Sequence, residues 1–285
     1  MSVVLITGCS SGIGLATAEL FSNGEYQVIA TARNPDSSTE LLELGKKDNV
    51  LVKVLDVCDQ TSVDKLFEEL GDSEIDILVN NAGLGGSGSV ENTTIDFAKL
   101  LMETNYFGVL RMMKKVIPSM RSKNSGTIIN VSSMAGRRPF ALMSHYCATK
   151  YALNGLTESM AHELARYNIK VTLIEPGTVI TPIFGKANTV PEDEDHYSIL
   201  QGRMIRQVTK GLTELGCGPE EIADCIVDFT TTKDPKLHYL LKKDAVDNVD
   251  VYNKYGPETW VKDGEIIDDE EFFSIMKERY GYEIG

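Results

Sequence analysis

The sequence predicts an α/β protein, a single doubly wound parallel sheet with helices on both faces, and three observations predict it. Seven short apolar runs rich in β-branched residues recur along the chain, stretches of helical period lie between them, and 285 residues suffice for one large core of this kind. Strands that alternate with helices form βαβ units. Strands covered on both faces read as continuous apolar runs, and these do.

The first run, "VVLIT" (3–7), leads through a glycine-rich turn into the helical stretch "GLATAELFSN". "QVIATA" (27–32) and "VLVKVLD" (50–56) are the second and third strands, followed by the helix "SVDKLFEELG". "IDILVNN" (75–81) is the fourth strand, and a long helix is expected over 94–122. "GTIINVS" (126–132), a helix over 144–167, "IKVTLIE" (169–175) and "KLHYLL" (236–241) complete the alternation. There is no internal repeat. One domain is expected over residues 1–245.

Two regions break the rhythm. Residues 182–218 follow the sixth strand and hold the acidic run "PEDEDHY" and a possible helix, "SILQGRMIRQVTKGLTEL". A long insertion at the carboxyl end of a strand often forms a lid or substrate wall. Residues 246–285 form an acidic C-terminal extension, whose stretch "EEFFSIMKERYGY" reads either as a short amphipathic helix packed on the body or as a solvated tail.

Composition excludes several classes. The net charge is −14, and residues 244–285 carry twelve acids against four basic residues. Such a chain is repelled by phosphate polymers, so no nucleic-acid partner is expected. The five cysteines are scattered with no CxxC pair, which suits free thiols in a reducing compartment. Cys147 reads as a small apolar filler rather than a nucleophile. The four histidines lie far apart in sequence, so no metal site is expected. No apolar run is long enough to span a membrane, and the N-terminus lacks the pattern of a signal peptide. A soluble cytoplasmic protein is the expectation.

The turn "TGCSSGIG" (7–14) has the strand before it and the helix after it that a dinucleotide site requires. Gly8 permits the tight turn, Gly12 lets backbone approach a pyrophosphate, and Gly14 lets the helix pack close to the strand. A bare βα turn is the alternative, and a triphosphate loop is set aside because Ile13-Gly14 stands where its lysine would be. The second strand ends "TARN", with Arg33 where NAD-selective folds place an acid. An arginine there clamps a 2′-phosphate, with a hydroxyl from Ser11 in support, so NADP(H) is expected over NAD(H).

Tyr146 and Lys150 are spaced to share one helix face. A nearby ammonium and an oxidised nicotinamide both favour phenolate, which is the tuning a proton donor to a carbonyl needs. Ser133, at the carboxyl end of the fifth strand, points to the crevice where open sheets bind ligands, with Ser132 as the fallback. Asn105 lies in the long helix beside them.

Together "TGCSSGIG", Asp56, "NNAG" (80–83), "NYFG" (105–108), "NVSS" (130–133), "YCATK" (146–150) and "PGTVIT" (176–181) resemble the short-chain dehydrogenase/reductase family, in its order and spacing over residues 1–245. The details "LITGCSSGIG", "ATAR" and "DPKLHYLL" are most similar to the hydroxysteroid and retinol dehydrogenase branch. The resemblance implies a Rossmann-type fold and an oxidoreductase that interconverts a carbonyl and an alcohol. It implies that Ser133 polarises the substrate oxygen, Tyr146 is the acid/base, Lys150 binds ribose and lowers the tyrosine pKa, and Asn105 holds a relay water. It places Gly8, Ser10, Ser11, Gly12, Ile13 and Gly14 at the pyrophosphate end, and Asp56 and Val57 at the adenine. Asn81, Ala82 and Gly83 run along the adenosine, and Pro176, Gly177, Val179 and Thr181 lie by the nicotinamide. A homodimer or homotetramer is implied through the two long helices. Phe140, Leu142, Met143, Ile183 and Phe184 are the expected apolar walls for a small hydrophobic substrate, while Arg137 and Arg138 read as solvated loop charges, with contact to an anionic substrate as the alternative. A nucleotide-sensing binding protein without redox turnover is the alternative function.

Overall fold

The computed structural model describes residues 1–183, 188–189 and 196–284. Seven parallel strands form the main sheet: β1 (Ser2–Ile6), β2 (Tyr26–Ala32), β3 (Val50–Val54), β4 (Ile77–Asn80), β5 (Gly126–Val131), β6 (Ile169–Pro176) and β7 (His238–Leu241). Their order is β3-β2-β1-β4-β5-β6-β7, so the chain reverses direction between β1 and β4. That reversal opens a crevice at the carboxyl ends of the strands. Successive β1 side chains enter opposite cores: Val4 and Ile6 pack with Phe21, Ile226 and Phe229, and Leu5 packs with Leu78, Met112 and Ile128. Two-sided burial is why the strand sequences show no polar alternation.

The helices are α1 (Gly12–Ser22), α2 (Thr39–Leu44), α3 (Gln60–Leu70), α4 (Ile95–Met102), α5 (Gly108–Lys123), α6 (Ser144–Leu164), α7 (Ser198–Lys210), α8 (Pro219–Thr231), α9 (Lys243–Tyr255), α10 (Pro257–Asp263) and α11 (Asp269–Tyr280). The long helix expected over 94–122 is interrupted by a π turn at Glu103–Phe107. Helix α8 is absent from the sequence expectation, although Ile222, Ile226 and Phe229 give it a buried stripe.

The C-terminal residues are ordered helices. Asp268 caps α11 by accepting from the Glu271 N–H at 2.8 Å. Acids fill the first turn of α11, Lys277 and Arg279 the last, and Gly281 ends it at φ +76°. This charge order matches the helix dipole and resolves an acidic run into a capped helix. Phe272 and Met276 bury its inner face. Ion pairs Arg203–Asp269 and Arg279–Asp263 fix it further.

Arg138 is not a solvated loop charge. It is 4% exposed, stacked on Phe140 and Trp260 at 4.2 and 4.7 Å, and donates to Asn248 Oδ1 at 2.6 Å and the Tyr280 hydroxyl at 2.7 Å. Aromatic faces and neutral acceptors suit a guanidinium in this setting. Arg138 thereby ties the loop before α6 to the C-terminal helices. Arg137 is also engaged: its Nη1 lies 2.9 Å from His238 Nδ1 and 3.5 Å from the buried Glu175 carboxylate.

Candidate active site

The glycine turn is held at the β1–β4 reversal by a small clamp. The Thr7 hydroxyl accepts from the Asn81 and Ala82 N–H groups at 3.0 Å each. Asn81 Nδ2 donates back to the Thr7 and Gly8 carbonyls at 3.0 and 3.1 Å. Gly8 and Gly12 adopt φ +75° and +60°, which disfavour any side chain. A Cβ on Gly14 would lie 2.3 Å from the Gly8 carbonyl oxygen. No side chain of the turn caps α1, and its first turn holds no acid. The free N–H groups and positive end of α1 therefore face the crevice, a cradle suited to phosphate.

A cavity of about 1240 Å³ runs from this cradle across the carboxyl ends of the strands. Gly8, Ser10, Ser11, Gly12, Ile13, Arg33, Asp56, Val57, Asn81, Ala82, Gly83, Ser133, Tyr146, Lys150, Pro176, Gly177, Val179 and Thr181 all line it. Gly14 and Asn105 lie behind its wall. Asn105 is buried within the π turn. Its Oδ1 accepts from the Leu84 N–H at 2.8 Å, and its Nδ2 donates to the Leu84 carbonyl and the Thr149 hydroxyl, both at 3.0 Å. That side chain is fully engaged in joining the loop after β4 to α6. Arg33 is exposed at the rim and has no hydrogen-bond or ion partner among the described residues.

Ser133 and Tyr146 meet in the cavity. The Ser133 hydroxyl is near enough to the Tyr146 phenol to lower its pKa, and Ser133 Oγ accepts from the Ala135 N–H at 3.1 Å. Ser132 is committed elsewhere: its hydroxyl donates to Asn154 Oδ1 at 2.6 Å, and Asn154 Nδ2 donates to Glu175 at 2.7 Å. Lys150 is 6% exposed, donates to the Val131 carbonyl at 3.0 Å, and lies 5.7 Å from the Tyr146 ring centre. Burial pushes the Tyr146 phenol up to about 12, against a smaller lowering from Ser133. Burial also lowers the Lys150 ammonium to about 8. Within the protein alone desolvation outweighs a lysine that faces a carbonyl, whereas the expected depression of the tyrosine pKa is that of the cofactor-bound state.

The loop that follows β6 is seated by a residue that sequence reasoning missed. Asp244, buried at the start of α9, accepts from the Thr178 N–H at 2.7 Å. A Cβ on Gly177 would lie 2.1 Å from its carboxylate. Phe140, Met143 and Ile183 line the cavity. Leu142 does not: it is 5% exposed at φ +59° and packs inward. Phe184 lies outside the described residues. The far wall is formed by α7 and the C-terminal helices, with Arg203, Met204, Val208, Trp260 and Phe272. Helical spacing of apolar residues on α7 was the available signal, whereas nothing local marked Trp260 or Asp244. Cys147 is 4% exposed, and burial raises its thiol pKa, which suits an inert filler. Among the described residues there is no cluster able to hold a metal and no helix long and apolar enough to cross a membrane.

The short chain dehydrogenase family model matches residues 2–192. The chain belongs to this family. The short-chain dehydrogenase is 34% identical to retinol dehydrogenase 8 of Bos taurus, over 82% of this chain and 79% of that protein. It is 31% identical to 17-beta-hydroxysteroid dehydrogenase type 1 of Homo sapiens, over 84% and 76%. A short-chain dehydrogenase from Streptomyces avermitilis shares the fold at a TM-score of 0.79 and 33% identity, covering 93% of this chain and 100% of that one. Two further structures hold different cofactors. A serine dehydrogenase complexed with NADP+ matches at TM-score 0.70 and 27% identity, over 83% and 92%. A 4-hydroxyisoleucine dehydrogenase complexed with NADH matches at 0.68 and 26%, over 82% and 92%. The family and fold expectations and the hydroxysteroid/retinol likeness are borne out, and the chain is an oxidoreductase of the short-chain dehydrogenase type.

Proposed function

We propose that this short-chain dehydrogenase interconverts a hydrophobic ketone or aldehyde and its alcohol with NADP(H), using Tyr146 as the acid/base. One observation carries the reading: the glycine cradle, Arg33 and the Ser133–Tyr146–Lys150 group share a single cavity. The cradle fits a dinucleotide, since Cβ atoms at Gly8 and Gly14 would strike backbone, and α1 is uncapped. When bound, the nicotinamide supplies or accepts the hydride. Ser133 donates a hydrogen bond to the substrate oxygen and fixes it beside the phenol. Tyr146, neutral because it is buried, gives its proton to that oxygen during reduction. The Lys150 ammonium supports the phenolate that remains. Asn105 holds the loop after β4 against α6 and so keeps the cofactor wall in register with Tyr146. The exposed Phe107 and Tyr151 on the two long helices offer a surface for homo-oligomer formation.

Arg33 carries the NADP(H) assignment. Arg33→Ala is expected to weaken NADP(H) binding roughly 10- to 100-fold, the worth of a charge-assisted contact, with little change for NAD(H). Steady-state rates with both cofactors test it, and a clear NAD(H) preference in the unaltered protein contradicts it.

A pH profile tests Lys150. With its ammonium titrating at about 8 and the phenol at about 12, kcat/KM for reduction falls as pH rises above about 8. The slope approaches tenfold per pH unit while Tyr146 stays protonated. A profile flat to pH 10 means that the lysine charge is not required.

A further inference from the structure

The cavity extends past the reacting groups along one face of α7. Leu200, Met204 and Val208 form that face at helical spacing, Leu212 and Leu215 continue it in the π turn Gly211–Leu215 that follows α7, and Arg203 interrupts it. Arg203 is 3% exposed. Its Nε donates to Asp269 Oδ1 at 2.8 Å, and its Nη2 to the Ile267 and Asp268 carbonyls at 3.2 and 3.4 Å. The guanidinium stacks on Phe272 at 4.0 Å. Nη1, with two protons to give, is buried and finds no partner among the described residues. Buried donors in native folds are almost always satisfied, and charged ones most of all. Asp269 is also shared, because Arg206 reaches it at 3.5 Å. The other buried acid on this wall, Asp263, is paired with Arg279.

From this we infer that Arg203 is the distal anchor of the substrate pocket and selects carbonyl compounds whose apolar body ends in a carboxylate. Position along α7 sets the length. Gly211 abuts the loop that follows β6, where its Cβ would lie 2.5 Å from Thr178 Oγ1. Eight residues of helix separate it from Arg203, about 12 Å at 1.5 Å per residue. An extended medium-chain oxo acid is of that length, and the inference places its oxo group at Ser133 and Tyr146 and its carboxylate at Nη1. The leucine, methionine and valine stripe covers the chain between. This inference rests on the reading of Tyr146 as the reacting end, and the experiment separates the two.

Trp260 is the only tryptophan in the chain and lines the cavity, so its fluorescence reports occupancy directly. The full-length protein with NADP+ is titrated with decanoate and with decanol. Decanoate is expected to bind roughly 10- to 100-fold more tightly, as a charge-assisted contact requires. Arg203→Gln is expected to remove that preference by weakening decanoate alone, and Arg203→Lys to restore part of it. In turnover, 10-oxodecanoate is expected to exceed decanal in kcat/KM by a similar factor, with the difference lost in Arg203→Gln. Equal binding of decanoate and decanol by the unaltered protein overturns the inference. So does an Arg203→Gln or Arg203→Lys protein that weakens both ligands alike, the mark of a merely structural residue or of a water held at Nη1. Decanoate selectivity without turnover of either aldehyde supports the anchor and refutes the catalytic reading instead.

Discussion

Tyr146→Phe is expected to reduce turnover by about 10²- to 10⁴-fold, the range lost when a positioned acid/base is removed, while cofactor affinity changes little. The change deletes one oxygen from a side chain that packs on the wall beside Ser133. The ring remains, the Lys150 contact with the Val131 carbonyl at 3.0 Å does not involve the phenol, and the glycine cradle is remote from it. A binding titration with NADPH alongside the rate therefore separates chemistry from occupancy. Near-normal rates in Tyr146→Phe would remove Tyr146 from the reaction; loss of cofactor binding would mean that the phenol is a structural support.

Gly14→Ala is the second large effect. The added Cβ would lie 2.3 Å from the Gly8 oxygen and 2.4 Å from Asn81 Nδ2. Both atoms belong to the clamp that joins the ends of β1 and β4, and neither has a free rotamer to retreat into. Overpacking of this kind costs about 1–3 kcal/mol, so a Tm lower by several degrees is expected. Displacement of the turn is also expected to weaken dinucleotide binding at least ~10-fold, which about 1.4 kcal/mol suffices to do. Gly155→Ala is the matched control. It lies within α6 with nothing within 4 Å of its Cβ position, and is expected to stabilise by about 0.5–1 kcal/mol through helix propensity. Thermal melts of both variants check the contrast; equal melting temperatures would contradict the clamp.

The sheet was legible because two-sided burial leaves a plain record, apolar runs rich in β-branched residues such as "VVLIT" and "QVIATA". The residues around Tyr146 were legible because their spacing is local: a turn before a helix, an i,i+4 pair, a hydroxyl at a strand end. What stayed hidden depends on contacts remote in sequence. Asp244 reaches Thr178 across 66 residues, and Arg203 reaches Asp269 across 66. Arg138 is buried by partners 110 and 142 positions away, Asn248 and Tyr280. No local pattern distinguishes such an arginine from a solvated one. The acidic C-terminal run left a packed helix and a solvated tail equally open for a related reason. Its charges sit in dipole order around Phe272 and Met276, which composition alone does not register. Sequence spacing placed the ammonium on the tyrosine's helix face but did not show that it donates to the Val131 carbonyl, which leaves burial to dominate the phenol in the protein alone.

The central claim is that Ser133, Tyr146 and Lys150 close around the reactive ring of a nicotinamide held by the glycine cradle. A crystal structure of the protein with NADP+ tests it most directly. The account predicts that the pyrophosphate rests on the start of α1. It predicts that Lys150 reaches the nicotinamide ribose, and that the reactive ring carbon faces the Tyr146 hydroxyl with room for one substrate oxygen between them. A ring turned away from the phenol, or a nucleotide bound elsewhere in the cavity, would contradict it.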